Sequence, residues 1–194
     1  MADARIACRI CRAKGETPMN CRTDKSMYAP NETVCVYVDG LPAETVSLRL
    51  ILLHLEKTVL TEEIAAAERF SLLPPAKDGK GYLLEVQALD PDKALLADAF
   101  TAIDVSSAWT RFPRYGYVWD FTPGVDAQAK IETLCRFHIN GLQFYDWQYR
   151  HHRPVADDTS VWKDWSGRTV SGDAVRAYLS AAHEKGMACL AYNI

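Results

Sequence analysis

The spacing of apolar residues changes once along these 194 residues, at Ser106-Ser107, and that change limits the chain to two regions built on different principles. Before it, short β-rich runs alternate with turn punctuation. Thr33 to Val38 stops at Asp39-Gly40-Leu41-Pro42, and Thr45 to His54 follows. Arg69 to Leu73 stops at Pro74-Pro75, Tyr82 to Leu89 at Asp90-Pro91-Asp92, and Ala99 to Val105 closes the series. This spacing predicts a β-sandwich over residues 21–107. The alanine-rich Glu62 to Glu68 predicts one or two helical turns inside it. Residues 1–20 carry little apolar patterning and several arginines, and are predicted to be a poorly ordered leader.

After Ser107 the period lengthens. Tyr115 to Phe121 reads as a strand, and Asp126 to His138 as a helix with Ala127, Ile131, Leu134 and Cys135 on one face. Asn140-Gly141 ends it, and Gly141 to Phe144 is short and apolar apart from Gln143, as a covered parallel strand should be. A second helix runs from Asp173 to Lys185, capped by Ser171, with Val175, Tyr178, Leu179 and Ala182 as its buried stripe. Gly186 ends it, and Met187 to Asn193 forms a third strand. Residues 108–194 therefore read β-α-β-α-β, with tight helix-to-strand joints and one long strand-to-helix loop from Gln148 to Val170. In a (β/α)8 barrel the strand-to-helix loops build the active face.

The run that follows Phe144 carries the densest chemistry. Tyr145, Asp146, Trp147, Tyr149, His151 and His152 fall together, mixing flat apolar rings with hydrogen-bonding groups. A pyranose presents the complement: axial C–H faces for an aromatic ring and a rim of hydroxyls for carboxylates and imidazoles. Aromatic residues at a strand end can equally be core. In the wider context, Arg111-Phe-Pro-Arg-Tyr-Gly-Tyr-Val, His138-Ile-Asn-Gly, Gln143-Phe-Tyr-Asp-Trp147, Ser160-Val-Trp-Lys-Asp164, Ala181-Ala-His-Glu-Lys-Gly-Met187 and Ala191-Tyr-Asn193 occur in order. With these runs, the sequence resembles the dextranase and cycloisomaltooligosaccharide glucanotransferase family, glycoside hydrolase family 66. The first half carries less of the resemblance, in Thr23-Asp24-Lys25 and Tyr28-Ala-Pro-Asn31.

The resemblance implies an immunoglobulin-like topology for the sandwich and a TIM barrel for the second region, in an enzyme that cleaves or transglycosylates α-1,6-linked glucan (dextran). A barrel needs roughly 200 residues or more, and far fewer follow Thr110. The chain is thus expected to hold the first three strands of a truncated barrel, the front portion of a longer enzyme. Retaining glycosidases use two carboxylates about 5 Å apart, and the resemblance places that pair on later barrel strands. No catalytic residue is therefore expected in this chain, which should be inactive alone.

The resemblance assigns Asp146 to holding sugar hydroxyls beside that missing nucleophile; the residue-level alternative is a structural acceptor for the adjacent loop. Tyr145 and Asn193, both at strand ends, would flank the same subsite, and Trp162 would stack on a neighbouring glucose. Asp120 ends strand one, as a further sugar ligand or a loop cap. His151 and His152 could donate to hydroxyls or simply be solvated. His138 extends a buried stripe and reads as a core histidine.

The formal net charge of -3 gives no electrostatic reason to expect polyanion binding, so no nucleic acid partner is predicted. The apolar run Val46 to Leu55 is broken by Arg49 and His54 and is too short to cross a bilayer. The first residues lack the apolar stretch of a secretory signal, whereas the resemblance suggests a secreted or cell-surface bacterial enzyme. Of six cysteines, Cys8 and Cys11 alone form a Cys-x-x-Cys pair, and Cys35 and Cys135 read as small buried hydrophobes. No cofactor is predicted; a Cys-x-x-Cys metal protein would need bound zinc. The alternative from another class is a non-catalytic carbohydrate-binding or adhesion module, whose sandwich should expose aromatic rings; all five tryptophans lie outside that region. Open barrel edges are expected to drive self-association.

Overall fold

The computed structural model describes residues 18–157 and 159–192. Two antiparallel sheets face each other across one core. The first orders β1 (Asn20–Thr23), β2 (Val34–Asp39) and β5 (Arg69–Leu72) as β1-β2-β5. The second orders β4 (Lys57–Ala65), β3 (Ser47–His54), β6 (Lys80–Leu89) and β7 (Leu95–Val105) as β4-β3-β6-β7. Alternate side chains point inward, as pleating requires. Val34, Val36 and Val38 meet Leu48, Leu50, Leu52, Leu84, Val86 and Ile103 in that core. Strand structure begins at Asn20, and Met19 already packs there, so the sandwich takes up the end of the expected leader; the rest of that segment, with Cys8 and Cys11, lies outside the described residues.

The helical turns expected at Glu62 to Glu68 are not formed. Glu62 to Ala65 belong to β4, paired with β3 from Ser47↔Ala65 to His54↔Lys57 with a bulge at Leu52/Leu53, and Ala66 to Glu68 follow it outside any element. The ladder on offer from β3, with Thr58, Val59 and Thr61 on the approaching strand, overrides the alanines' local helix preference.

A parallel sheet follows, ordered β12-β9-β8, from β8 (Tyr115–Val118), β9 (Gly141–Phe144) and β12 (Ala188–Ala191). Its register aligns Val118, Phe144 and Ala191 across the three C-terminal ends. α1 (Ala127–Arg136) and α2 (Gly172–Glu184) make the crossovers. Asp126 caps α1 by accepting from the Ala129 amide at 2.9 Å, and Ser171 caps α2 by accepting from that of Ala174. One sheet face, with Val118, Leu142 and Phe144, buries against Ile131, Cys135, Tyr178 and Ala182 of these helices. β8 stops short of its expected end because the chain turns inward, seating Phe121 on Phe144 and edge-on to Tyr178. The sheet does not close into a barrel. The long loop also contains a hairpin the sequence did not suggest, β10 (Val161–Lys163) with β11 (Thr169–Ser171).

Both helices end the same way, with the last carbonyls capped by the amides of a left-handed residue and of the residue after it. Gly186 (φ 72°) makes that turn after α2, while after α1 His138 (φ 55°) makes it, its amide donating to Cys135 O at 2.8 Å. His138 is half-buried and lies past the end of α1, so it does not extend the helix's buried stripe as expected; its Nε2 lies 3.4 Å from Thr101 Oγ1 of the sandwich, and burial pushes its pKa down. Next to it, fully buried Asn140 accepts from the Arg114 amide at 2.9 Å and donates to Phe112 O at 2.8 Å. Gly141 comes so close to Trp109 that a Cβ there would sit 2.6 Å from the indole. The His138-Ile-Asn-Gly run is thus a joint at the N-terminal end of the parallel sheet.

The segment Thr23 to Asn31 clasps the two regions. Asp24 accepts from Tyr28 Oη at 2.6 Å, the Ser26 amide donates to Lys185 O at 3.0 Å, and that of Tyr28 to Asp104 O at 2.9 Å. Arg114 pairs with buried Asp104 across the same seam. Cys135 is buried as expected, but Cys35 is only half-buried and its Sγ accepts from Arg69 Nε at 3.1 Å; its position on β2 turns it toward the flank where Arg69 pairs alongside.

Candidate carbohydrate site at the C-terminal edge of the parallel sheet

Parallel strands put their C-terminal ends on one side, and the register fixes which residues meet there. Trp119, Tyr145 and Tyr192 each follow one of the aligned positions Val118, Phe144 and Ala191, and with Tyr117 they share the face away from the helices. Tyr145 and Tyr192 rings lie 4.7 Å apart at 32°, and Tyr117 meets Tyr145 at 6.4 Å, edge-on. Tyr117 is 63% exposed and Trp119 54% exposed. A row of accessible rings results at the mouth of the sheet.

Beside the row lies a charged triad. Asp146 is only 6% exposed and has left-handed backbone (φ 51°), unusual for a non-glycine residue. Its Oδ2 accepts from Arg168 at 2.9 Å, and Arg168 Nε donates to Asp164 Oδ2 at 2.7 Å. Asp164 Oδ1 in turn accepts from the amides of Ser166 and Arg168 and from Ser166 Oγ, each at 2.9 Å. Burial alone would raise the Asp164 pKa, but these hydrogen bonds and the Arg168 charge outweigh it and hold it below the usual carboxylate range. Burial likewise opposes the Arg168 charge, yet the two carboxylates raise its pKa further. The guanidinium carbon lies 5.9 Å from the Trp119 ring centroid. Asp146 Oδ1 has no protein hydrogen-bond partner among the described residues. Gln148, buried beneath, donates to the Tyr192 carbonyl.

Of the expected site residues, the structure brings Tyr145 and Asp146 together here. Asn193 lies outside the described residues. Asp120, one residue past Trp119, is tied down: Lys130 donates to it at 2.8 Å and Thr122 Oγ1 at 2.6 Å. The Lys130 and Thr122 hydrogen bonds hold its pKa at about 2, the loop-tying arrangement weighed as its alternative. His151 and His152 are exposed at the tip of the turn closed by Arg150 and Arg153, with no hydrogen-bond partner among the described residues. Trp162 is not an open stacking face. It is 6% exposed, packed on Gly172, and lines with Trp147, Val175 and Leu179 a cavity of about 520 Å³ between the loop and α2. β10 alternates, turning Trp162 inward while Val161 and Lys163 face out.

Arg168, Asp164, Tyr117, Trp119 and Tyr192 were not singled out from sequence. The one available signal was Asp164-Trp-Ser-Gly-Arg168, an acid and a base spanning a turn, and nothing local says that the turn folds over β9.

Comparison with known proteins identifies relatives of this chain. Residues 23–194 match the family model for glycosyl hydrolase family 66. Two cycloisomaltooligosaccharide glucanotransferases from Niallia circulans are 32% and 30% identical over 190 residues, covering 88% of this chain and 19% of each relative. The crystal structure of a cycloisomaltooligosaccharide glucanotransferase from Paenibacillus sp., complexed with cycloisomaltoheptaose, superposes with a TM-score of 0.77 at 33% identity. That match covers 89% of this chain and 27% of the other. The chain spans about a fifth of the length of the curated relatives, and it belongs to glycosyl hydrolase family 66.

Proposed function

We propose that this chain is the N-terminal part of a retaining glycoside hydrolase or transglycosylase acting on α-1,6-glucan, and that it supplies a sugar-binding edge rather than the reacting groups. The observation that carries this reading is the row Tyr117, Tyr145 and Tyr192, with Trp119 beside the Arg168 guanidinium, next to Asp146, whose Oδ1 has no protein partner among the described residues. Rings take pyranose C–H faces, and a fixed carboxylate takes hydroxyl hydrogens. The relatives' activity, named for isomaltooligosaccharides, gives the substrate class.

The sheet orders β1-β2-β5 and β4-β3-β6-β7 support an immunoglobulin-like sandwich over residues 21–107. The consecutive parallel order β8-β9-β12 supports a barrel beginning over residues 108–194. Asp146 and Asp164 are bridged by one guanidinium instead of facing each other across an open cleft as a nucleophile and proton donor would. The chain alone is accordingly inactive. In the sandwich, Phe100 is the one aromatic side chain in the exposed class among the described residues, which disfavours a binding module built on that half.

The test combines activity and binding. Dextran incubated with the chain should release no reducing sugar. Isomaltoheptaose should quench tryptophan fluorescence, and Asp146→Asn or Tyr145→Ala should weaken that binding about tenfold or more, ~1.4 kcal/mol, with unchanged circular dichroism. Full affinity in both variants would overturn the assignment.

A further inference from the structure

We propose that Arg168 is the positioning residue of this site: it holds the Asp146 carboxylate by Oδ2 so that Oδ1 is presented to a sugar hydroxyl. The inference rests on the carbohydrate reading above and adds to it the device that sets the site's geometry. Asp146 stands in left-handed backbone at the end of β9, where nothing in its own strand fixes its side chain. A carboxylate there could present either oxygen. Arg168 removes that freedom from outside the strand, reaching it from the β10–β11 hairpin at 2.9 Å.

The hairpin is itself set by Asp164, which spends one oxygen on the turn and the other on Arg168 Nε. The Asp164 amide donates to Arg168 O at 3.0 Å and closes the loop. Arg168 is therefore held at Nε by a buried anion while its terminal nitrogen reaches Asp146, a two-sided grip that the planar fork of an arginine allows and an ammonium does not. Trp119 lies beside the guanidinium, so the same residue links the acceptor to one ring of the aromatic row. Three segments distant in sequence are thereby locked into one surface.

The experiment compares Arg168→Met, Arg168→Lys, Asp146→Asn and the double variant Arg168→Met/Asp146→Asn in the full chain, by isomaltoheptaose affinity and thermal melting. Arg176→Met, which removes an arginine paired to Asp173 on the exposed side of α2, is the control. Arg168→Met should lose tenfold or more in affinity, Arg168→Lys should recover part of it, and the double variant should bind no worse than Asp146→Asn alone. The Arg168 Nε–H resonance should shift in Asp146→Asn without any sugar present. Wild-type affinity in Arg168→Met, losses that simply add in the double variant, or an unshifted Nε–H signal would overturn the role. A wild-type chain that binds no isomaltoheptaose while the Nε–H signal responds as expected would instead overturn the carbohydrate reading on which the role depends.

Discussion

The sandwich and the parallel sheet solve the same burial problem to different degrees. In the sandwich each sheet has one face turned to a shared core and an outer face that meets water, as antiparallel sheets tolerate, with Leu83 and Phe100 among its exposed side chains. The parallel sheet buries Val118, Leu142 and Phe144 under its helices but leaves Tyr115, Tyr117 and Trp119 on the other face in water, and among the described residues β8 and β12 both lack an outer neighbour. Parallel sheets are normally covered on both faces. The first region thus closes its own core, while the second keeps aromatic rings accessible beside a largely buried charged cluster.

The strongest way to break that contrast is to separate the halves. Residues 18–107 alone should give β-type circular dichroism and a cooperative melt, since their core borrows little from elsewhere. Residues 108–192 alone should aggregate or melt without cooperativity, because two open edges and an exposed apolar face invite association. A cooperative, monomeric melt of the second piece would show it to be a complete small fold.

Next in size is a pair of substitutions in the whole chain. Leu84→Ala, in the closed core, should cost about 2–5 kcal/mol in denaturant unfolding. Tyr117→Ser, on the open face, should stay within about 0.5 kcal/mol. Comparable losses would mean that the open face is covered in solution, and sedimentation would then reveal a self-associated species.

How much of this was legible depended on whether the determining contact was local. Gly141 to Phe144 was read correctly because a short apolar strand beginning at a glycine needs nothing distant to define it, and the Ser171 cap is a one-residue signal. At Glu62 to Glu68 the local helix preference misleads, because Glu62 to Ala65 pair back along the hairpin with Leu50 to Ser47 and that ladder decides the conformation. Trp162 and Arg168 show the same limit at the site. An indole in a short hairpin has no local signal for facing in, and an arginine 22 residues after Asp146 is invisible as its partner until the hairpin folds back. The runs that carry the family resemblance divide too. His138 to Gly141 and Thr23 to Asn31 are joints, while Tyr145 and Asp146 lie at the candidate site.

Smaller effects sharpen the seam between the halves. Burial lowers the His138 pKa, so the neutral ring contributes stability that is fully present above the ordinary value of about 6.5 and is lost as pH falls through the folded-state value. The melting temperature should fall on acidification below about pH 6.5, and His138→Gln should flatten that dependence. The smallest change expected is at Asp120, whose contribution is present above about pH 4 and is lost only as pH falls through its folded value of about 2. Asp120→Asn should cost no more than about 1 kcal/mol, because its partner Lys130 is largely exposed.

The most direct measurement is a two-dimensional NMR titration of the chain with isomaltoheptaose. Shifts confined to Trp119, Tyr145, Asp146, Arg168 and Tyr192, with the sandwich amides silent, are the expected result. Shifts that cluster on the sandwich instead, or none at all, would contradict a carbohydrate site at the C-terminal edge of the parallel sheet.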